Sequence, residues 1–157
     1  MLKDKALPSI RKQYLVDEND VSLFGHSLAG LFALSVFLDE SLPVQRFVVA
    51  DPSIWWNGHQ LLAQLDAILE AKPTAFANDD RRVDVVVAGR KVERPGIPEA
   101  MRQRIAALRG GPNGKDFANR LAAAGLRSVT SEVYVDESHG SVIAPALAIL
   151  LNSVPRD

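Results

Sequence analysis

Residues 25–30, Gly25-His26-Ser27-Leu28-Ala29-Gly30, place a serine between two glycines in a G-x-S-x-G pattern. A serine hydroxyl can attack a carbonyl carbon when a neighbouring base takes its proton. The pattern follows a short apolar run and precedes a helical segment, the context in which such a serine lies exposed on a strained turn. The N–H of Leu28 would then face a developing oxyanion. The alternative interpretation of Ser27 is a helix N-cap without chemistry.

A serine nucleophile needs a base, and the sequence contains three histidines. His139 lies between the last predicted strand and the last predicted helix, where the base follows the nucleophile in hydrolases with this turn. We therefore predict Ser27 as the nucleophile and His139 as the base. His26, next to the serine, is assigned to substrate binding, with a structural role as the alternative. His59 lies in a polar loop and receives no role.

A carboxylate should orient the imidazole of His139 and stabilise its charged form. Glu93 is the first carboxylate after the predicted strand that stops at Gly89, and it is the predicted acid. Its basic neighbours would also explain it as part of a surface ion pair. Asp51, at the end of the preceding strand, and Asp136, close to His139 in the sequence, remain alternatives.

Two tryptophans and an asparagine, Trp55, Trp56 and Asn57, follow the strand predicted at Phe47–Ala50. Open α/β sheets bind ligands at the carboxyl ends of their strands. We therefore predict that these three residues bind a flat or aromatic part of a substrate. The alternative is that they only pack the loop onto the domain. Basic residues in the third quarter of the chain are interpreted as a solvated face.

The elements that must position these residues alternate between strands and helices. Short apolar runs predict the strands, and apolar residues at helical spacing predict the helices. The predicted strands are Val21–Phe24, Phe47–Ala50, Val83–Ala88 and Ser128–Val135. The predicted helices cover residues 2–14, 27–38, 61–71, 98–108, 116–124 and 142–151. This alternation favours a single α/β domain over residues 1–157, with about four mainly parallel strands and helices on both faces.

Composition and charge exclude several functional classes. The 157 residues are enough for one domain with its own core. A net charge of −1 argues against a nucleic-acid partner. The absence of cysteine excludes disulfides, cysteine zinc sites and cysteine nucleophiles. No apolar run approaches the ~20 residues of a membrane helix, so we expect no membrane partner. The first 14 residues contain no apolar segment typical of a signal peptide, and we expect a cytoplasmic location.

Three blocks of the sequence resemble an esterase family of the α/β-hydrolases, and within it the siderophore esterases of the enterobactin and bacillibactin type. The blocks are residues 23–34 around Ser27, residues 51–57 with the tryptophans, and residues 137–142 with His139. The resemblance implies hydrolysis of a small-molecule ester through an acyl-serine intermediate. It also implies that no metal or organic cofactor is needed, and it leaves the position of the acid loosely defined.

The resemblance covers only the C-terminal half of that family. The other half would supply the first strands and a loop with a second oxyanion N–H. Without it, the strand Val21–Phe24 would lie at an edge of the sheet instead of near the centre. An exposed apolar edge favours pairing with another chain, so we predict a homodimer joined along Val21–Phe24. The alternative function is a weak or inactive hydrolase remnant that serves for self-association.

Overall fold

The computed structural model describes residues 2–92 and 96–152 and contains a four-stranded parallel sheet. Its strands, in the spatial order β1-β2-β3-β4, are β1 (Ser22–His26), β2 (Arg46–Ala50), β3 (Arg82–Ala88) and β4 (Val129–Tyr134). The sheet is parallel throughout because a helix in each connection returns the chain to the same end of the sheet. The predicted fold class and all four predicted strands are confirmed.

Six α-helices and two short helical turns are present in the described part of the chain. The helices are α1 (Leu7–Gln13), α2 (Leu28–Asp39), α3 (Gln60–Ala71), α4 (Glu99–Arg109), α5 (Gly114–Ala123) and α6 (Ile143–Leu151). A π-helical turn, Leu2–Ala6, precedes α1, and a 3₁₀ turn, Trp56–His59, precedes α3. Within residues 2–92 and 96–152, none of these helices combines the length and the apolar character needed to span a bilayer.

Apolar side chains cover both faces of the sheet. On one face α2, α3 and α5 enclose the fully buried Phe37, Phe47 and Phe117. On the other face α6 covers Val48 and Val86. Burial of each such side chain stabilises the fold by roughly 1.5–3 kcal/mol. Since both faces are covered, the inner strands β2 and β3 are nearly continuous apolar runs rather than alternating ones.

β1 lies at an edge of the sheet, as predicted, and pairs with β2 on its inner side. The N–H of Ser27 donates to the carbonyl oxygen of Ala50 at 3.0 Å, so the peptide groups of odd-numbered residues face β2. The peptide groups of Ser22 and Phe24 therefore point to the open side of β1.

A buried carboxylate, Asp84, joins three strands close to their amino ends. It is 1% exposed and accepts hydrogen bonds from Arg46 on β2, Arg82 on β3 and Thr130 on β4. Burial alone would raise the pKa of Asp84, but the hydrogen bonds from Arg82, Thr130 and Arg46 outweigh it and lower the pKa below its ordinary value. Arg46 also donates to the carbonyl oxygen of Ile149 at 3.3 Å, which ties α6 to the sheet.

Candidate active site

Ser27 occupies the turn between β1 and α2 in a backbone conformation that side chains rarely adopt. Its φ is 58° and its ψ is −119°. Its carbonyl oxygen accepts the N–H of Leu31 at 3.0 Å, which starts the helix. The side chain of Ser27 makes no N-cap hydrogen bond, so the alternative interpretation as a helix cap is not supported.

The two glycines of the motif allow the helix to approach the strand. A Cβ atom on Gly25 would lie 2.2 Å from the carbonyl oxygen of Ala29. A Cβ atom on Gly30 would lie 3.2 Å from the Cα of Pro52. Any side chain at position 25 would push the first turn of α2 away from β1, and Ser27 would move with it.

His139 connects Ser27 to a carboxylate. Its Nε2 lies 3.2 Å from the Oγ of Ser27, and its Nδ1 lies 2.6 Å from an oxygen of Asp51. The three residues follow β1, β4 and β2, and parallel strands bring those ends to one edge of the sheet. The side chains of His139 and Asp51 are 30% and 26% exposed, so a substrate can reach them.

Asp51 is held firmly at the end of β2. Its backbone has a positive φ of 41°. Its N–H donates to the carbonyl oxygen of Val86 at 2.6 Å, and its second carboxylate oxygen accepts the N–H of Ala88 at 3.3 Å. One oxygen is thus anchored on β3 while the other faces the imidazole of His139.

The structure brings Asp51, one of the two alternatives from the sequence, to the position expected of the acid. Asp136 is exposed, and the Nδ1 atom of His139 is bonded to Asp51. Glu93, the predicted acid, lies outside the described residues, so its role stays a prediction. The signal that favours Asp51 is its place directly after the strand that neighbours the nucleophile strand.

His26 contacts the loop that carries the base. Its Nε2 donates to the carbonyl oxygen of His139 at 2.6 Å, and the two rings lie 4.5 Å apart, inclined at 44°. This contact fixes the backbone of His139. A substrate contact of His26 stays a prediction. His59 ends the 3₁₀ turn, and its ring lies against Gly111 rather than at the serine.

Reciprocal hydrogen bonds stiffen the loop around His139. The N–H of Ser138 donates to the Oγ of Ser141 at 2.9 Å, and the N–H of Ser141 donates to the Oγ of Ser138 at 3.3 Å. The carbonyl oxygen of Ser138 accepts the N–H of Val142 at the start of α6.

Across residues 2–92 and 96–152, no cluster of three His, Asp or Glu side chains could hold a metal ion.

A groove of about 470 Å³ begins at Leu28 and passes Trp56 and Asn57. Its other lining residues are Leu31, Phe32, Ser35, Gln60, Leu61 and Gln64. Leu28, Phe32 and Trp56 are each about half exposed. Trp55 is more buried and lies edge-on to Trp56, with ring centroids 5.7 Å apart. Of the four predicted substrate residues, the structure thus brings Trp56 and Asn57 to a groove beside the nucleophile, while Trp55 packs against Trp56.

Ser53 is a site residue that the sequence analysis did not single out. It is 3% exposed, and its Oγ lies 3.2 Å from the Oγ of Ser27. Its N–H donates to the carbonyl oxygen of Ser27 at 3.1 Å. The signal for it is weak, because a serine three residues after a strand is common in loops of any kind.

Comparison with known proteins finds relatives that are longer than this chain. The chain matches no protein-family profile. It is 31% identical over 135 residues to the siderophore enterobactin esterase of Emericella nidulans, covering 81% of this chain and 44% of that protein. It is 24% identical over 144 residues to the ferri-bacillibactin esterase BesA of Bacillus subtilis, covering 90% of this chain and 45% of that protein. The chain therefore spans less than half the length of these curated relatives.

A solved structure shows the same relation. The siderophore hydrolase EstA of Aspergillus nidulans matches with a TM-score of 0.76 at 27% identity, covering 98% of this chain and 56% of that one. The resemblance inferred from the sequence is thus confirmed: the chain corresponds to the C-terminal half of the siderophore esterases and has the matching part of an α/β-hydrolase fold.

Proposed function

We propose that this chain is a serine hydrolase that cleaves carboxylic esters through an acyl-serine intermediate. The observation that carries the proposal is the hydrogen-bonded series from Asp51 through His139 to Ser27, at a turn where Ser27 has a positive φ. An unreactive loop serine would need neither the strained turn nor an imidazole oriented by a carboxylate. The names of the relatives support an ester as the substrate.

Each residue of the series has a defined chemical role. The Nε2 atom of His139 takes the proton of Ser27 while the Oγ attacks the ester carbonyl carbon. Asp51 holds the Nδ1 proton and stabilises the imidazolium. The imidazolium returns its proton to the leaving alkoxide, which departs as an alcohol. Water activated by His139 then splits the acyl-serine to the free acid and regenerates Ser27.

The N–H of Leu28 is the proposed oxyanion donor. Leu28 is the first residue of α2, and the first N–H groups of a helix have no partner inside the helix. The helix start also carries a partial positive charge that favours an anion. Loss of one such donor in a serine hydrolase typically costs about 10²–10³ in kcat.

The groove next to Leu28 is the proposed binding site for the organic part of the ester. Trp56 and Phe32 offer aromatic faces, while Asn57 and Gln64 offer amide groups. Pockets of this composition bind flat, partly polar ligands. We propose a siderophore ester as the substrate, because the relatives are named for siderophore esters and the groove has this mixed character.

The proposal is tested with the purified chain, a p-nitrophenyl ester and a fluorophosphonate probe. We expect the wild-type protein to release p-nitrophenol and to be labelled on Ser27. The Ser27→Ala variant should lose both signals, whereas Ser128→Ala, an exposed serine at the opposite end of the sheet, should keep both. Equal rates and equal labelling in the wild type and Ser27→Ala would overturn the proposal.

A second function, self-association, is favoured by one observation. The open side of β1 presents the peptide groups of Ser22 and Phe24 next to apolar side chains, and such an edge pairs readily with another strand. We propose a homodimer joined along Val21–Phe24. Ser22→Pro removes an outward N–H without touching the bonds to β2, so it should convert the dimer to a monomer. A wild-type monomer in light scattering would overturn this second proposal.

A further inference from the structure

The buried hydroxyl of Ser53 has no role in the reaction proposed above. A buried hydroxyl normally has a hydrogen-bond partner, and the partner here is the nucleophile itself. We propose that Ser53 donates a hydrogen bond to the Oγ of Ser27 and thereby orients and activates it. The proposal rests on the proposed esterase function.

The direction of this hydrogen bond follows from the neighbouring ones. An ionised carboxylate only accepts, so the Nδ1 atom of His139 carries a hydrogen toward Asp51. In a neutral imidazole the Nε2 atom is then an acceptor, and it receives the single hydroxyl hydrogen of Ser27. Ser27 has no second hydrogen to give. The 3.2 Å contact between the two hydroxyl oxygens therefore requires Ser53 as the donor.

The backbone around Ser53 leaves the side chain little freedom to turn away. Its N–H donates to the carbonyl oxygen of Ser27, and its own carbonyl oxygen accepts the N–H of Trp56 at 3.0 Å. The next residue, Ile54, is fully buried in the core. The preceding residue, Pro52, lies against the first turn of α2 at Gly30. The Oγ of Ser53 is thus fixed relative to the turn that carries the nucleophile.

The bond gains strength at the moment when catalysis needs it. As His139 removes the proton of Ser27, negative charge develops on the Oγ, and hydrogen bonds to charged acceptors are about twice as strong as neutral ones. An interaction that is stronger in the transition state than in the ground state accelerates the chemical step. The same donor would stabilise the Oγ as it leaves the acyl group in the second half of the reaction.

The test compares Ser53→Ala and Ser53→Thr with the wild type, using Ser128→Ala as the matched control. Loss of a hydrogen bond to a charging oxygen predicts a fall in kcat of about 10- to 100-fold in Ser53→Ala, with KM little changed. The rate of fluorophosphonate labelling at Ser27 should fall by the same factor. Ser53→Thr retains the hydroxyl and should recover most of the rate. Ser128→Ala should match the wild type.

The outcomes separate this proposal from the function on which it depends. Wild-type turnover and labelling with equal rates in a folded Ser53→Ala would overturn the role of Ser53 and leave the esterase standing. Equal losses in folded Ala and Thr variants would also overturn it, because the hydroxyl would then not matter. No turnover and no labelling in the wild type would overturn both proposals. If Ser53→Ala loses its native circular dichroism, Ser53→Cys, a weak donor of similar volume, replaces it and should show the same fall.

Discussion

Asp51 and Asp84 are both carboxylates of the parallel sheet, and they lie at its opposite ends. Asp84, inside β3, is 1% exposed and is bonded to two arginines and a threonine from three strands. Asp51, just past β2, has a side chain that is 26% exposed and a positive φ of 41°. The amino ends of the strands thus hold a buried carboxylate, which forms the Asp84 cluster with its three hydrogen-bond donors. The carboxyl ends hold a strained and solvent-accessible one.

The residues that stabilise the fold and the residues proposed for catalysis thus lie at opposite ends of the sheet. Positive φ angles at Ser27 and Asp51 cost on the order of 1–3 kcal/mol each. The Asp84 cluster and the apolar layers on both faces must offset that cost. Substitutions at the carboxyl ends should therefore change activity and spare the fold. Substitutions at the amino ends should do the reverse.

The largest expected effect is at Ser27. Ser27→Gly removes the nucleophile, which lowers activity. Glycine also adopts a positive φ without strain, which raises stability. Ester hydrolysis should fall by about 10³-fold or more, toward the ~10⁶-fold loss known for a missing serine nucleophile. Relief of about 1 kcal/mol of strain should raise Tm by about 2–4 °C. Steady-state kinetics and a thermal melt measure both, and a lower Tm would contradict the strain argument.

The next effect concerns the acid. Asp51→Asn keeps the shape of the side chain but leaves His139 in the wrong tautomer, so kcat should fall by about 10⁴-fold. Glu93→Gln is the matched control. It should retain nearly full activity, because Asp51 is the carboxylate bonded to the Nδ1 atom of His139. If the loss appears in Glu93→Gln and not in Asp51→Asn, the acid is Glu93 and the 2.6 Å contact of Asp51 is not catalytic. Both variants should keep the wild-type urea midpoint.

The assignment of the acid also shows which features of the fold and the site the sequence predicts. The strands, the helices and the pairing of Ser27 with His139 follow from local apolar patterns and from the order of elements in the chain. The strained turn was predictable because Gly25 and Gly30 mark it directly. The choice between Glu93, Asp51 and Asp136 was not predictable. It depends on which loops approach the imidazole, and chain order leaves that open.

Side-chain directions were the other missing information. Nothing in the sequence distinguishes Ser53 from any loop serine, although its hydroxyl lies against the nucleophile. Nor does the sequence show that His26 donates a hydrogen bond to the backbone carbonyl oxygen of His139. Trp55 precedes the 3₁₀ turn and packs edge-on against Trp56, whereas Trp56 begins the turn and lines the groove. Two adjacent tryptophans in the sequence do not reveal this difference.

At the other end of the sheet, Asp84→Ala should destabilise the fold without a direct effect on the reaction. Removal of one partner leaves the largely buried Arg46 uncompensated, and such losses cost about 3–5 kcal/mol. Asp136→Ala, an exposed carboxylate, is the control and should stay within about 0.5 kcal/mol of the wild type. Urea unfolding measures both, and similar midpoints for the two variants would show that the Asp84 cluster adds little.

The smallest effect is the response of stability to acid. Hydrogen bonds from Arg82, Thr130 and Arg46 overcome burial and lower the pKa of Asp84 in the folded state, so between the folded and unfolded pKa values the unfolded chain binds more protons. The stability that Asp84 contributes is therefore present above its unfolded pKa and is lost as pH falls through the folded one. Urea midpoints between about pH 5 and pH 2 should fall more steeply in the wild type than in Asp84→Asn, which lacks the titrating group. Parallel pH profiles would mean that the pKa of Asp84 does not change on folding. The contrast with Asp51 would then rest on burial and backbone strain rather than on charge pairing.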